Sequence, residues 1–166
     1  MKKNSLEVFC GNGRGKTAMA IGEAVKAFSA GESVIVIQFL KGSERGEVDV
    51  LERLDQADIK IFRFEKQEIG YDKLTEQEKA EERLNILNGL NFARKVIATR
   101  ECDFLVLDEI LGLIEMGIVS DEAVKELLRL KDDSMRMILT GRELPSWLTQ
   151  YVDSVTTIST QDYRGQ

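Results

Sequence analysis

Histidine is absent from this chain of 166 residues. That removes Ser–His and Cys–His nucleophilic catalysis and every histidine-ligated metal site. Cysteine is scarce. Cys10 and Cys102 sit in apolar, strand-like contexts with no CxxC spacing, so they read as buried thiols of a reducing compartment and not as a disulfide or metal pair. A basic excess is also missing. The net charge of −6 argues against a general nucleic-acid binder, although a small basic pocket is compatible with an acidic surface. No apolar run reaches membrane-spanning length and no signal peptide opens the chain, so a cytoplasmic protein with no membrane association is expected. The single proline and the lack of repeats or linkers imply short connections and one domain over residues 1–166.

What is present alternates. Leu6–Cys10 reads as a strand entering a loop with three glycines, Gly11, Gly13 and Gly15. A helix from about Gly15 to Phe28 follows, with Ala20, Ala24, Ala27 and Phe28 as its apolar stripe. Ser33–Phe39 is a continuous run rich in β-branched residues, as in a strand buried on both faces. A short helix is predicted over Glu47–Leu54, a strand over Asp58–Phe64 and a loop over Glu65–Leu74. Thr75 with Glu78 forms a capping box opening a helix to about Arg100, with Ala80, Leu84, Leu87, Leu90 and Ile97 predicted on its apolar side. Asp103–Glu109 is a buried strand ending in two acids. Ser120 starts a helix with Ala123, Val124, Leu127 and Leu128 inward. Met135–Leu139 is a further strand, Pro145–Tyr151 a short helix and Val155–Ile158 a last strand. This alternation predicts an α/β fold with a mostly parallel sheet covered on both faces.

Ligands of such sheets collect at the carboxyl ends of the strands. Four strands end there in chemically notable residues: the glycine loop, Lys41, the pair Asp108–Glu109, and Thr140-Gly141-Arg142. A strand, a glycine-rich loop, Lys16-Thr17 and a helix in that order is the sequence form of a phosphate-binding P-loop. Backbone N–H groups surround anionic oxygens, the helix adds its positive end, Lys16 reaches phosphate and Thr17 ligates Mg²⁺. Arg14 is a phosphate contact or a solvated charge. Asp108–Glu109, after four apolar residues, resembles a Walker B strand whose acids hold Mg²⁺ or its waters. Cys10 stands where the usual loop has its first glycine.

The loop Val8-Phe9-Cys10-Gly11-Asn12-Gly13-Arg14-Gly15-Lys16-Thr17 resembles that of the ATP:corrinoid adenosyltransferases, the cob(I)alamin adenosyltransferase class with a RecA-like P-loop fold, whose loops also open with a non-glycine residue. Val36-Ile37-Gln38-Phe39-Leu40-Lys41-Gly42, Val106-Leu107-Asp108-Glu109-Ile110 and Leu139-Thr140-Gly141-Arg142 are similar to the same family, in the same order. The resemblance implies a three-layer P-loop NTPase domain that moves the 5′-deoxyadenosyl group of ATP to cob(I)alamin and releases triphosphate. It implies nucleotide contacts from Gly11, Asn12, Gly13, Arg14, Gly15, Lys16, Thr17 and Ala18, with Lys41 and Arg142 across the cleft. Mg²⁺ would be served by Thr17, Asp108 and Glu109, and Lys16 and Glu109 would carry the catalytic charge. Phe39 and Tyr71 are the candidates for the corrinoid side. A homodimer and a reductase supplying Co(I) are the implied partners. The chain departs from the family after its third predicted strand, where Phe62, Phe64 and Tyr71 stand and tryptophan is missing, and in the reduced tail Gln161–Gln166. A P-loop ATPase or kinase, and an ATP-binding homologue without a corrinoid site, remain alternatives.

Overall fold

Runs rich in β-branched and aromatic residues form the strands of the sheet. The computed structural model describes residues 4–39, 59–64 and 70–164. Its strands are β1 (Leu6–Cys10), β2 (Val34–Phe39), β3 (Ile59–Phe64), β4 (Phe104–Asp108), β5 (Arg136–Thr140) and β6 (Ser154–Thr157). They form one six-stranded sheet in the order β3-β2-β4-β5-β1-β6, and every pairing is parallel. The predicted α/β architecture is the one observed. Strands β2, β4 and β5 are buried at every position, as central parallel strands must be.

Side-chain alternation divides the core in two. Phe9, Val36, Val106 and Ile138 face helix α1 (Lys16–Ser29), whose small residues Ala20, Ala24 and Ala27 let it lie close to the sheet. Val8, Ile37, Leu107 and Leu139 face the opposite layer. That layer contains α2 (Glu76–Thr99), α3 (Ile110–Glu115) and α4 (Asp121–Arg129). The Thr75 capping box is formed, with the hydroxyl accepting from Glu78 N and the Glu78 carboxylate accepting from Thr75 N. Ser120 Oγ likewise accepts from Ala123 N.

Some details differ from expectation. On α2, Ala80, Leu84 and Leu87 are exposed. Leu90 and Ile97 are buried as expected, and the face they share runs through Ile86, Gly89, Ala93 and Val96. Gly89 sets this register, because a Cβ there would lie 2.6 Å from the Phe64 ring and 2.7 Å from the Phe39 ring. Helix α3 had no sequence signal: its N-cap is Glu109 in the left-handed region, with no side-chain cap. The last predicted short helix is present over Ser146–Gln150, as a 3-10 helix. Within the Glu65–Leu74 segment, Tyr71–Lys73 is also a 3-10 turn. The predicted helix at Glu47–Leu54 and the candidate Lys41 lie outside the described residues.

Candidate functional site

The glycine loop joins β1 to α1 beside the end of β6. Gly11 and Gly15 have φ of 108° and 100°, in the region that favours glycine. A Cβ on Gly11 would come 2.3 Å from Ile158 O, and one on Gly13 would come 2.8 Å from Ile158. Glycine is therefore needed twice, for conformation and for the close passage of the chain after β6. That passage is hydrogen-bonded. Gly13 N–H donates to Ile158 O at 2.9 Å, and Arg14 N–H to Thr160 Oγ1 at 2.9 Å. Gly11 N–H donates to Arg142 O at 2.8 Å.

The Arg14 guanidinium takes both carboxylate oxygens of Asp162, at 2.8 and 3.3 Å. Their hydrogen bond, with the charge attraction behind it, raises the Arg14 pKa and holds the Asp162 carboxyl below its ordinary value. Lys16 Nζ folds back onto its own loop, donating to Gly11 O at 2.8 Å and Gly13 O at 2.7 Å. The ammonium thus sits at the mouth of the ring of amides where a phosphate would bind.

Below the loop lies a buried acid. Thr17, on the first turn of α1, donates its hydroxyl to Asp108 Oδ1 at 3.0 Å and Oδ2 at 3.1 Å. Thr140 Oγ1 donates to Asp108 Oδ1 at 2.6 Å, and Gln38 Nε2 donates to Oδ2 at 3.2 Å. Thr17, Gln38, Asp108 and Thr140 are all buried. A buried carboxylate needs such donors. Glu109, next along the chain, has φ of 64°, and its N–H donates to Thr140 Oγ1 at 2.8 Å. The Thr140 hydroxyl therefore serves both members of the acid pair, donating to one and accepting from the backbone of the other.

The structure brings together most of the predicted residues. Gly11 to Ala18, Asp108, Glu109 and Arg142 gather at the carboxyl ends of β1, β4 and β5. Asn12 and Ala18 are exposed at the mouth. Of the two acids, Asp108 is the one that takes the Thr17 hydroxyl. The Arg142 side chain is exposed and paired with Glu115, an interaction that raises its pKa. The Tyr71 hydroxyl accepts from Arg83 Nε at 2.7 Å, with Lys79 Nζ 5.9 Å from its ring centroid. Phe39 needs correcting. Its ring is fully buried against Phe64, 6.3 Å between centroids, and under Gly89, so it packs the core and has no face toward a second substrate. Sequence reading missed Gln38, although a lone amide in the run Val-Ile-Val-Ile-Gln-Phe was its signal. It also missed the contacts of Ile158, Thr160 and Asp162 with the loop, which no local pattern announces.

Comparison with known proteins points the same way. The family described as ATP:corrinoid adenosyltransferase BtuR/CobO/CobP matches the chain over residues 2–163. A protein named corrinoid adenosyltransferase from Escherichia coli K12 is 28% identical over 156 residues, covering 93% of this chain and 76% of that one. Corrinoid adenosyltransferase CobA of Salmonella typhimurium aligns with the same identity and coverage. A corrinoid adenosyltransferase of Pseudomonas aeruginosa is 23% identical over 164 residues, covering 95% of this chain and 76% of its own.

Proposed function

Since the chain belongs to the ATP:corrinoid adenosyltransferase family, we propose that it works as the family name states, as a transferase that takes ATP and a corrinoid. The reaction forms a bond between cobalt and C5′ of ATP. The electron pair comes from Co(I) of the reduced corrinoid. The C5′–O bond breaks, and its electrons leave with triphosphate. The nucleophile belongs to the substrate, so the protein needs no histidine base and no nucleophilic side chain.

The placement of this chain's residues supports the following roles. The leaving triphosphate gains negative charge in the transition state, and the loop amides with Lys16 stabilise that charge. For this the ammonium turns from Gly11 O and Gly13 O to the phosphate oxygens. Thr17 and Asp108 offer hard oxygen donors at the base of the loop, a set that fits Mg²⁺, which keeps most of its shell as water and phosphate. Bound there, Mg²⁺ supplies positive charge opposite the phosphates. Glu109 lies at the same strand end and serves the cation's waters. Arg142 borders the cleft, Lys41 is assigned to the phosphates on the resemblance alone, and Tyr71 marks the corrinoid side. The observation that supports this reading most directly is the Thr17–Asp108 contact, which joins the phosphate loop to the acid strand in a chain matched by the family over nearly its whole length. As the resemblance implies, the protein acts as a homodimer in the cytoplasm, with a reductase supplying Co(I).

The test is anaerobic turnover with ATP, Mg²⁺ and chemically reduced cobalamin. The corrinoid spectrum is expected to become that of the adenosyl form, with intact triphosphate released in equal amount. ADP and phosphate as products, or no spectral change under strict anaerobiosis, would overturn the reading.

A further inference from the structure

Arg63, Gln38 and Asp108 lie in one row across three neighbouring strands. Gln38 is in register with Arg63 on β3 and with Asp108 on β4. By alternation each follows the apolar residues that face α1, so the row closes the α1 side of the core at the carboxyl ends of the strands. Arg63 Nε donates to Gln38 Oε1 at 3.2 Å, and Gln38 Nε2 donates to Asp108 Oδ2 at 3.2 Å. Thr140 continues the row onto β5 through its 2.6 Å bond to Asp108 Oδ1.

The chemistry leaves Gln38 one orientation. A guanidinium only donates, so it must meet the amide oxygen. A carboxylate only accepts, so it must meet the amide nitrogen. The side chain is 1% exposed, and no other residue of that length has both a donor and an acceptor. Glutamate would set a second carboxylate against Asp108, and leucine would offer neither group. The contacts on Asp108 also divide. Thr140 holds Oδ1 and Gln38 holds Oδ2, which fixes the rotation of the carboxylate about its Cβ–Cγ bond with both oxygens toward the Thr17 hydroxyl.

We propose that Gln38 is a positioning residue of the nucleotide–metal site, holding Asp108 so that Thr17 and Asp108 together present a Mg²⁺ seat, and that Arg63 anchors Gln38 in turn. The proposal rests on the Mg²⁺ assignment made above and not on adenosyl transfer. Gln38 contacts Asp108 and Arg63. Its effect passes through Asp108 and is felt only when the cation is bound.

Calorimetric titration of ATP into the protein, once with Mg²⁺ and once with EDTA, separates this role from a general structural one. For wild type, Mg²⁺ is expected to strengthen ATP binding. For Gln38→Leu and Gln38→Glu, binding with Mg²⁺ is expected to weaken on the order of tenfold, the size typical of a lost partner of a metal ligand, with binding in EDTA unchanged. Arg63→Ala should show a smaller loss of the same kind. Gln38→Glu keeps the length and the acceptor facing Arg63, which guards against a folding defect peculiar to leucine. Equal weakening with and without Mg²⁺, no weakening in either glutamine variant, or a wild type indifferent to Mg²⁺ would overturn the proposal. A wild-type effect for Arg63→Ala would overturn the anchoring step. Because the readout is nucleotide binding, a protein that binds ATP as described but transfers no adenosyl group would refute the proposed function and leave this inference standing.

Discussion

Lys16 is bonded to its own loop: its Nζ donates to Gly11 O at 2.8 Å and to Gly13 O at 2.7 Å. These two bonds hold the ammonium in the mouth of the amide ring before any anion arrives. Bringing in triphosphate exchanges neutral acceptors for charged ones, and that exchange favours binding. Lys16→Ala is therefore expected to cost about 3 kcal/mol of ATP affinity, roughly a hundredfold in Kd. The thermal midpoint should fall little, because the side chain is only half-buried. Calorimetric titration and a melting curve on the same sample check both parts.

The capping box of α2 gives a stability prediction. Thr75→Ala removes the acceptor for Glu78 N and is expected to cost about 1 kcal/mol in urea unfolding at neutral pH. Glu78 adds a pH dependence. Its carboxyl is held below the ordinary value of 4.5 by the hydrogen bond from the Thr75 backbone. A depressed carboxyl stabilises fully above its unfolded pKa and loses that contribution as pH falls through its folded one. Urea unfolding followed from pH 7 to pH 3 should show Glu78→Gln differing from wild type at neutral pH and converging with it in acid.

Cys102 behaves as an apolar residue. Burial is the main cause pushing its thiol up from 9.0 to about 12. The native state therefore keeps the proton where the unfolded chain loses it. Raised pKa values stabilise fully below the unfolded value and lose that contribution as pH climbs to the folded one, so stability should decline between pH 9.0 and about 12 on this account. Iodoacetamide at pH 8.5 is expected to leave Cys102 unmodified in the native protein and to label it in urea, as read by peptide mass mapping.

Two glycines should respond to alanine with opposite signs. At Gly89 the new methyl meets the rings of Phe64 and Phe39 at 2.6 and 2.7 Å, and overpacking of about 1–3 kcal/mol exceeds the gain in helix propensity. At Gly22, on the exposed side of α1, nothing lies within 4 Å of the new methyl. There Gly22→Ala is expected to stabilise by up to about 1 kcal/mol. Paired unfolding curves decide it.

These contrasts show what a linear reading of the chain can reach. The run Val34–Phe39, the Thr75–Glu78 box and the acids after Val106-Leu107 are local signals, and local backbone physics carries them into the structure. The face of α2 was only partly legible: Leu90 and Ile97 lie on it, but Leu84 and Leu87 fit a helical stripe as well as Ile86 and Ala93 do. Only the strands beneath Gly89 decide between them. Helix α3 follows its strand without a capping side chain, since Glu109 enters it through a left-handed turn. Asp108 was identifiable as an acid at a strand end, but its partners come from β2, β5 and α1. Strand order, which sequence does not state, brings them together. Phe39 failed for a related reason: a residue beside a motif need not point toward the ligand.

The closing of Ile158, Thr160 and Asp162 over the glycine loop has a consequence for folding order. Arg14 and Thr160 are separated by 146 positions, and Cys10 meets Thr157 across 147. The loop and its outer wall thus come from segments far apart in the sequence. Such distant pairing forms late, because the closure entropy must be met before the contact contributes. The loop is therefore expected to gain its outer wall late in folding, when β6 docks beside β1.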